Sequence, residues 1–314
     1  MLLALVAFAA PPIQADLHLD TPTQLHRKDV GLDGAGLEAG LAQLRAGGTN
    51  LAVMVLWPPR GTGAEHVEAL LSRMEREDAR LDEIALVRDP AEARATIAAG
   101  RVAMVYALEG AHGLGDLAAL HARGLAMLGL TWSFSNPYAG SSGDQGGGLT
   151  DAGRKLVAEA QRLGILVDVS HASRQTTLDV CRASAAPIVA SHSNADSVAA
   201  HARNLSDEEI ACIARTGGVI GVNFHASFVG KGASVAKVAD HADHLKKVGG
   251  AGVVALGSDY DGIITPPPDL ADASKLGALW DELRRRGWTE PEIAAARAEN
   301  FLRAWAVARQ LAYQ

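Results

Sequence analysis

The sequence is short of several things, and each shortage narrows its class. It has only two cysteines, Cys181 and Cys212. Both fall in helix-like segments and no metal-binding spacing joins them. That argues against a disulfide scaffold and against a thiolate zinc site. It has no excess of positive charge: 29 Lys and Arg stand against 36 Asp and Glu, for a formal net charge of −7 and a pI of about 5.9. Acids and bases are mixed along the chain, so neither nucleic acid nor a membrane surface finds a basic patch. It has no apolar run of the roughly 20 residues a bilayer span needs. The run at residues 1–10 (MLLALVAFAA), followed by Pro11 and Pro12, resembles the h-region of a secretory signal but lacks a basic n-region. Residues 1–12 are therefore set apart as a signal-like or extra N-terminal segment. Localisation stays open between cytoplasm and export. No low-complexity linker divides the remaining residues, 13–314, and no Gly-x-Gly-x-x-Gly turn follows the first strand-like stretch.

What is present is a 314-residue chain, 48% hydrophobic, able to bury a sizeable core. Eight short apolar runs read as strands: residues 13–20, 49–56, 102–109, 127–133, 166–170, 188–191, 219–223 and 253–259. Helical signals fall between them. Val67, Leu70, Leu71 and Met74 form one stripe. Leu156, Val157, Ala160 and Leu163 form another, with Gly164 as the stop. Ser206 and Glu209 make a capping box, and Val235, Val238, Ala242 and Leu245 mark a later helix. Strands buried on both faces alternating with helices predict a single (β/α)8 barrel of the TIM type, in preference to an open doubly wound sheet. Two long loops, at 136–149 and 262–274, are expected over the barrel mouth.

The first strand carries the leading chemical signal. Alternation along residues 13–20 places Asp16, His18 and Asp20 on one face, with Ala15, Leu17 and Leu19 on the other. Other strands end in similar residues: Glu109 after the third, His171 after the fifth, His192 after the sixth, and Asp259 and Asp261 after the eighth. In a (β/α)8 barrel these ends converge on one mouth, where catalytic groups sit. Three histidines with two or three carboxylates exceed one tetrahedral zinc. They suit two metals about 3.5–4 Å apart, with a bridging carboxylate and a bridging hydroxide. That is a site for hydrolysis, and a strand-end carboxylate not needed as a ligand could shuttle the proton. Asp16 suits a buried hydrogen-bonding role as well as metal contact. His225 could line the mouth, and His112 suits either support of the site or a plain loop. His66, His121, His201, His241 and His244 are expected on helix faces outside the barrel.

The motifs Asp-Leu-His-Leu-Asp, Leu-Glu-Gly-Ala-His, Gly-Ile-Leu-Val-Asp-Val-Ser-His, Ser-His-Ser, Arg-Asn-Leu-Ser-Asp, Val-Asn-Phe and Gly-Ser-Asp-Tyr-Asp-Gly occur in order. From about residue 13 to about residue 305 the chain resembles the membrane (renal) dipeptidase family, zinc peptidases related to the amidohydrolases. The resemblance implies that His18 and Asp20 hold one zinc, His171 and His192 the other, and that Glu109 bridges them. It implies that Asp259 takes the proton of the bridging water and passes it to the leaving amine. It implies that Arg203 binds the substrate's terminal carboxylate, a task for which guanidinium geometry is suited. Small dipeptides, L-L and also L-D, are the implied substrates.

One position departs from the family pattern. Its dipeptidases commonly carry Thr-His-Ser after the fourth strand, and the histidine helps stabilise the oxyanion. Here the residues are Thr131-Trp132-Ser133. Indole donates one hydrogen bond but carries no positive charge. Losing such a donor costs about 2.7–4 kcal/mol of transition-state stabilisation. Trp132 is expected to line and narrow the substrate pocket, or else to pack as core under the 136–149 loop. The alternatives are hydrolysis of another amide, a lactone or an ester on the same centre, or metal-dependent binding without catalysis. The family's membrane anchoring is not expected to carry over, since ARQLAYQ is not a hydrophobic tail. A homodimer is compatible with the sequence, which does not define an oligomeric state.

Overall fold

The apolar runs fold as short parallel strands in a computed structural model that describes residues 12–312. They are β1 (Ala15–Leu19), β2 (Leu51–Leu56), β3 (Ile84–Leu86), β4 (Val102–Glu109), β5 (Leu125–Gly129), β6 (Leu166–Asp168), β7 (Ile188–Ala190), β8 (Val219–Val222) and β9 (Val254–Leu256). Eight of them run in the order β1-β2-β4-β5-β6-β7-β8-β9. A parallel bridge between Leu19 and Tyr260 closes the ring. The Asp259 N–H donates to the His18 carbonyl (3.1 Å) and the Asp20 N–H to the Tyr260 carbonyl (3.0 Å). The fold is the expected (β/α)8 barrel. The strand that sequence reading missed, β3, is three residues long and pairs only with residues 102–104 of β4. So brief a run carries no readable period. The signal-like segment falls outside the described residues except for Pro12. Among the described residues, no helix is long and apolar enough to cross a membrane.

Two apolar clusters organise the packing. One joins residues from all eight staves, including Leu51, Val53, Met127 and Val189, to Phe301 and Trp305 of the last helix. Its β4 members Ala103, Val105 and Ala107 share the face of Glu109, and Leu166 of β6 shares that of Asp168, so this cluster is the barrel interior. The other joins the staves to the surrounding helices, through Leu25, Leu70, Leu71 and Met74 among others. β1 does not keep its expected alternation, because its register against β2 shifts between Asp16 and Leu19. Leu17 therefore joins the interior cluster and Leu19 the outer one. A bulge of this kind re-aims side chains, and the stretch it spans, between Asp16 and Leu19, includes His18.

The predicted capping box at Ser206 and Glu209 forms, and Thr289 with Glu292 makes a second. Cys181, on the helix Arg174–Ala183, and Cys212, on Asp207–Arg215, form one disulfide with Cα atoms 6.1 Å apart. This corrects the expectation from spacing. The two helices follow neighbouring staves and pack side by side, which linear spacing does not reveal. The two long loops also differ from each other. Gly262, Ile263 and Ile264 line the mouth. The 136–149 loop does not line it and is instead tied to the chain beneath. There the Ser141 hydroxyl bridges the carbonyls of Trp132 (2.5 Å) and His171 (3.1 Å).

Candidate metal centre and substrate cleft

The strand ends deliver the expected side chains to one place. Glu109 Oε1 lies 3.0 Å from His171 Nε2, 3.4 Å from His192 Nε2 and 3.6 Å from His18 Nε2. Asp20 Oδ2 is 3.8 Å from His18 Nε2. The donor atoms form three overlapping groups, each within 4.8 Å: His18, Asp20 and Glu109; Glu109, His171 and His192; His18, His192 and Asp259. The first two share Glu109, the partition the sequence motifs imply. The third brings Asp259 within reach of the same space. His171 and Asp259 adopt left-handed backbone, with φ of 67° and 70°. Such conformations are uncommon without glycine and concentrate at functional sites.

Supporting contacts hold the rings. The Ser191 hydroxyl lies 3.0 Å from His18 Nδ1, 2.8 Å from His192 Nδ1 and 2.5 Å from Asp168 Oδ2. A hydroxyl has one hydrogen and two lone pairs. Ser191 thus donates to the Asp168 carboxylate and accepts from both Nδ1–H groups, leaving both Nε2 atoms free to ligate. Ser133 Oγ stands 3.4 Å from His171 Nδ1. Asn223 Nδ2 donates to Asp259 Oδ2 at 2.8 Å. Asp16 takes the hydrogen-bonding role: its Oδ1 accepts from the N–H groups of His18 (3.2 Å) and Ser258 (2.9 Å). Glycine allows the close packing here. A Cβ at Gly221 or Gly257 would collide with the Ser191 carbonyl, and one at Gly262 would crowd Asp20 Oδ2 (2.7 Å) and Asp259 Oδ1 (2.8 Å).

The electrostatics fit a bound cation. Burial, aided by the Arg203 charge, pulls the His18 imidazole down to about 3, so its ring is neutral at neutral pH. Burial likewise holds His171 and His192 well below the usual histidine range. It pushes Asp259 up to about 7. Burial and then neighbouring carboxylates hold Asp20 and Glu109 well above theirs. Among the described residues, His18 Nε2 and Asp20 Oδ1 are buried without a hydrogen-bond partner. Unpaired buried donors and acceptors are costly, and a divalent cation satisfies both atoms at once. Three neutral imidazoles and two carboxylates form an N/O donor set suited to zinc and compatible with other divalent metals.

A cleft of 880 Å³ opens over these groups, lined by Asp20, Glu109, His171 and Asp259 at its floor. Trp132 lines it, with its ring 6.1 Å from His171, 5.0 Å from Trp57 and 5.9 Å from Phe134. His225 lines it too. His66, expected on an outer face, lies instead at the rim, edge-on to His26 at 5.5 Å. Helix periodicity does not say which end of a helix overhangs the mouth. His112 is no part of the donor set; its Nε2 donates to the Pro58 carbonyl at 2.8 Å. His241 is buried, accepting from the Ala195 N–H and donating to the Val229 carbonyl, and His244 pairs with Asp207. Arg203 is buried beside the centre, 3.4 Å from the His192 carbonyl and stacked over Phe228 at 5.4 Å. It makes no ion pair among the described residues and borders a separate recess of 380 Å³. Sequence reading missed Ser191, Asp168 and Asn223 as supports, although all three stand inside the quoted motifs.

Donor residues of this kind at the C-terminal ends of a parallel barrel define a metal-dependent hydrolase. The sequence pattern of the membrane dipeptidases, peptidase family M19, matches residues 8–314, and the chain belongs to that family of metal-dependent dipeptidases. A metallo peptidase from Rhodobacter sphaeroides, solved with a phosphinate mimic of the dipeptide L-Ala-D-Ala, is similar at 31% identity and a TM-score of 0.87 over 94% of this chain and 99% of that one. A dipeptidase AC of the same family is similar at 31% identity and a TM-score of 0.87, over 96% and 99%. A probable dipeptidase, PvdM, from Pseudomonas aeruginosa shares the fold at 22% identity, with a TM-score of 0.83 over 95% and 96%.

Proposed function

We propose that this chain hydrolyses the peptide bond of small dipeptides with two zinc ions held by His18, Asp20, Glu109, His171 and His192. The observation that carries the proposal is the convergence of three Nε2 atoms on Glu109 Oε1, with His18 Nε2 and Asp20 Oδ1 buried and without a hydrogen-bond partner among the described residues. Zinc bound there supplies Lewis acidity and lowers the pKa of water to about 7. Asp259 receives the proton through Oδ1 while Asn223 holds Oδ2, then gives it to the leaving amine. A carboxyl group that burial raises to about 7 is suited to both halves of that transfer. Arg203, buried and without a carboxylate partner among the described residues, receives the substrate's C-terminal carboxylate. The L-Ala-D-Ala mimic in a relative 31% identical supports acceptance of a D-residue at the C-terminal position.

Trp132 favours a second reading: hydrolysis of another amide, a lactone or an ester on the same centre. The test is a zinc-reconstituted assay against L-L and L-D dipeptides, with lactones and N-acyl amino acids alongside. Turnover strongest on dipeptides is the expected result. Turnover confined to lactones or N-acyl amino acids would replace the first reading by the second.

A further inference from the structure

One sector of the cleft is left unused by the chemistry above. Beyond the ends of β1 and β2 the rim carries His26 and Arg27, in the last turn of the helix Thr21–Lys28, and His66, in the first turn of Ala64–Arg80. Trp57, directly after β2, forms the wall below them. The Arg27 side chain is tethered: its Nη2 donates to Gln24 Oε1 (3.3 Å), and Gln24 Nε2 donates to the Asp261 carbonyl (2.6 Å). Arg60, on the loop after β2, lies over the Phe134 ring at 5.0 Å.

Neither Arg27 nor Arg60 makes an ion pair among the described residues. Arg80, Arg94, Arg123 and Arg286, by contrast, each hold one or more carboxylates. No acid lining the cleft pairs with either arginine among the described residues. Asp20, Glu109 and Asp259 belong to the donor groups. Asp261 has its carboxylate taken by Thr21 Oγ1 and by the N–H groups of Glu38 and Ala39. Glu65 gives Oε1 to the Gly63 N–H and acts electrostatically on His66, but it makes no ion pair with Arg27 or Arg60. The chain as a whole is acidic, at −7, so a cationic rim over the cleft is a local feature.

We propose that Arg27, supported by Arg60, His26 and His66, forms a subsite for an acidic side chain on the N-terminal residue of the dipeptide. The inference rests on the dipeptidase reading and deepens it. The barrel order supplies the direction. Arg203 follows β7, and β7 stands four staves from β2 whichever way the ring is counted. A dipeptide whose C-terminal carboxylate sits at Arg203 extends its other residue across the centre toward β2. There the Trp57 ring takes the methylenes and the guanidinium takes the carboxylate.

The experiment compares kcat/KM of the zinc-reconstituted enzyme for L-Glu-L-Ala, L-Gln-L-Ala and L-Lys-L-Ala at low salt. These substrates share a backbone and differ in charge. The expected order is Glu over Gln by about tenfold and Gln over Lys, with the Glu/Gln ratio shrinking as salt rises. Arg27→Gln is expected to bring that ratio toward one, and Arg27→Glu to favour the Lys substrate. Turnover of all three with a Glu/Gln ratio near one at low salt overturns the subsite alone. So does a ratio unchanged in both Arg27→Gln and Arg60→Gln. Failure of every dipeptide, L-Ala-L-Ala included, overturns the dipeptidase reading and the subsite with it.

Discussion

Replacing Ser191 with alanine removes a single hydroxyl that serves two imidazoles. Ser191 is fully buried, and its Oγ accepts from His18 Nδ1 at 3.0 Å and His192 Nδ1 at 2.8 Å while donating to Asp168. In the proposed assignment the two histidines serve different metals, so one substitution loosens both sites. Loss of such an outer partner typically lowers metal affinity 10- to 100-fold, about 1.4–2.7 kcal/mol per site. Asp168 is not stranded by the change. Its Oδ1 keeps the N–H groups of Ser170 and Ser191, both at 2.9 Å. Three buried contacts are lost, at about 1 kcal/mol each, so the fold should survive with a loss on the order of 3 kcal/mol. Competition against a chromophoric chelator reads the two zinc affinities, and thermal unfolding of the metal-free protein reads the fold. His171 relies on Ser133 instead, so a Ser133→Ala variant should weaken one site only. Unchanged zinc affinities in Ser191→Ala, or weakening at a single site, would refute the argument that this hydroxyl orients both rings.

Three further outcomes are expected. Asp259→Asn keeps the Asn223 contact and most of the metal but loses turnover by about 10²-fold or more, because an amide cannot accept the proton; metal loss rescued by excess zinc would make Asp259 a ligand. Arg203→Ala cuts kcat/KM for free dipeptides far more than for C-terminally amidated ones, and an equal loss on both would make Arg203 structural. Trp132→His raises kcat/KM for L-L dipeptides and reorders the substrates with Tm little altered, since an imidazole frees volume in the cleft and adds an oxyanion donor. Lost stability with an unchanged ranking would make Trp132 a packing residue.

Much of this was legible in the sequence because the relevant signals are local. Continuous apolar runs marked all eight staves, and the barrel rule then carried His18, Glu109, His171, His192 and Asp259 to one mouth. What stayed hidden depends on three-dimensional closure. β5 runs from Leu125 to Gly129, so residues 130–133 leave the sheet earlier than their composition suggests. The bulge in β1 splits Leu17 from Leu19, which strict alternation had placed together. The disulfide and the overhang of His66 depend on how neighbouring helices pack against the barrel. Ser191 stood in the Ser-His-Ser motif, yet its reach to His18, 173 residues away, exists only once the ring is closed.

The central claim is a two-metal hydrolytic centre, and metal stoichiometry measured together with turnover tests it most directly. Protein purified without chelators is analysed for metal, stripped, and titrated with zinc while dipeptide hydrolysis is followed. The account predicts about two metal ions per chain and activity that returns as the second equivalent is added. It also predicts a lower count and no activity in His171→Ala and His192→Ala. Full hydrolysis by the stripped protein would contradict it.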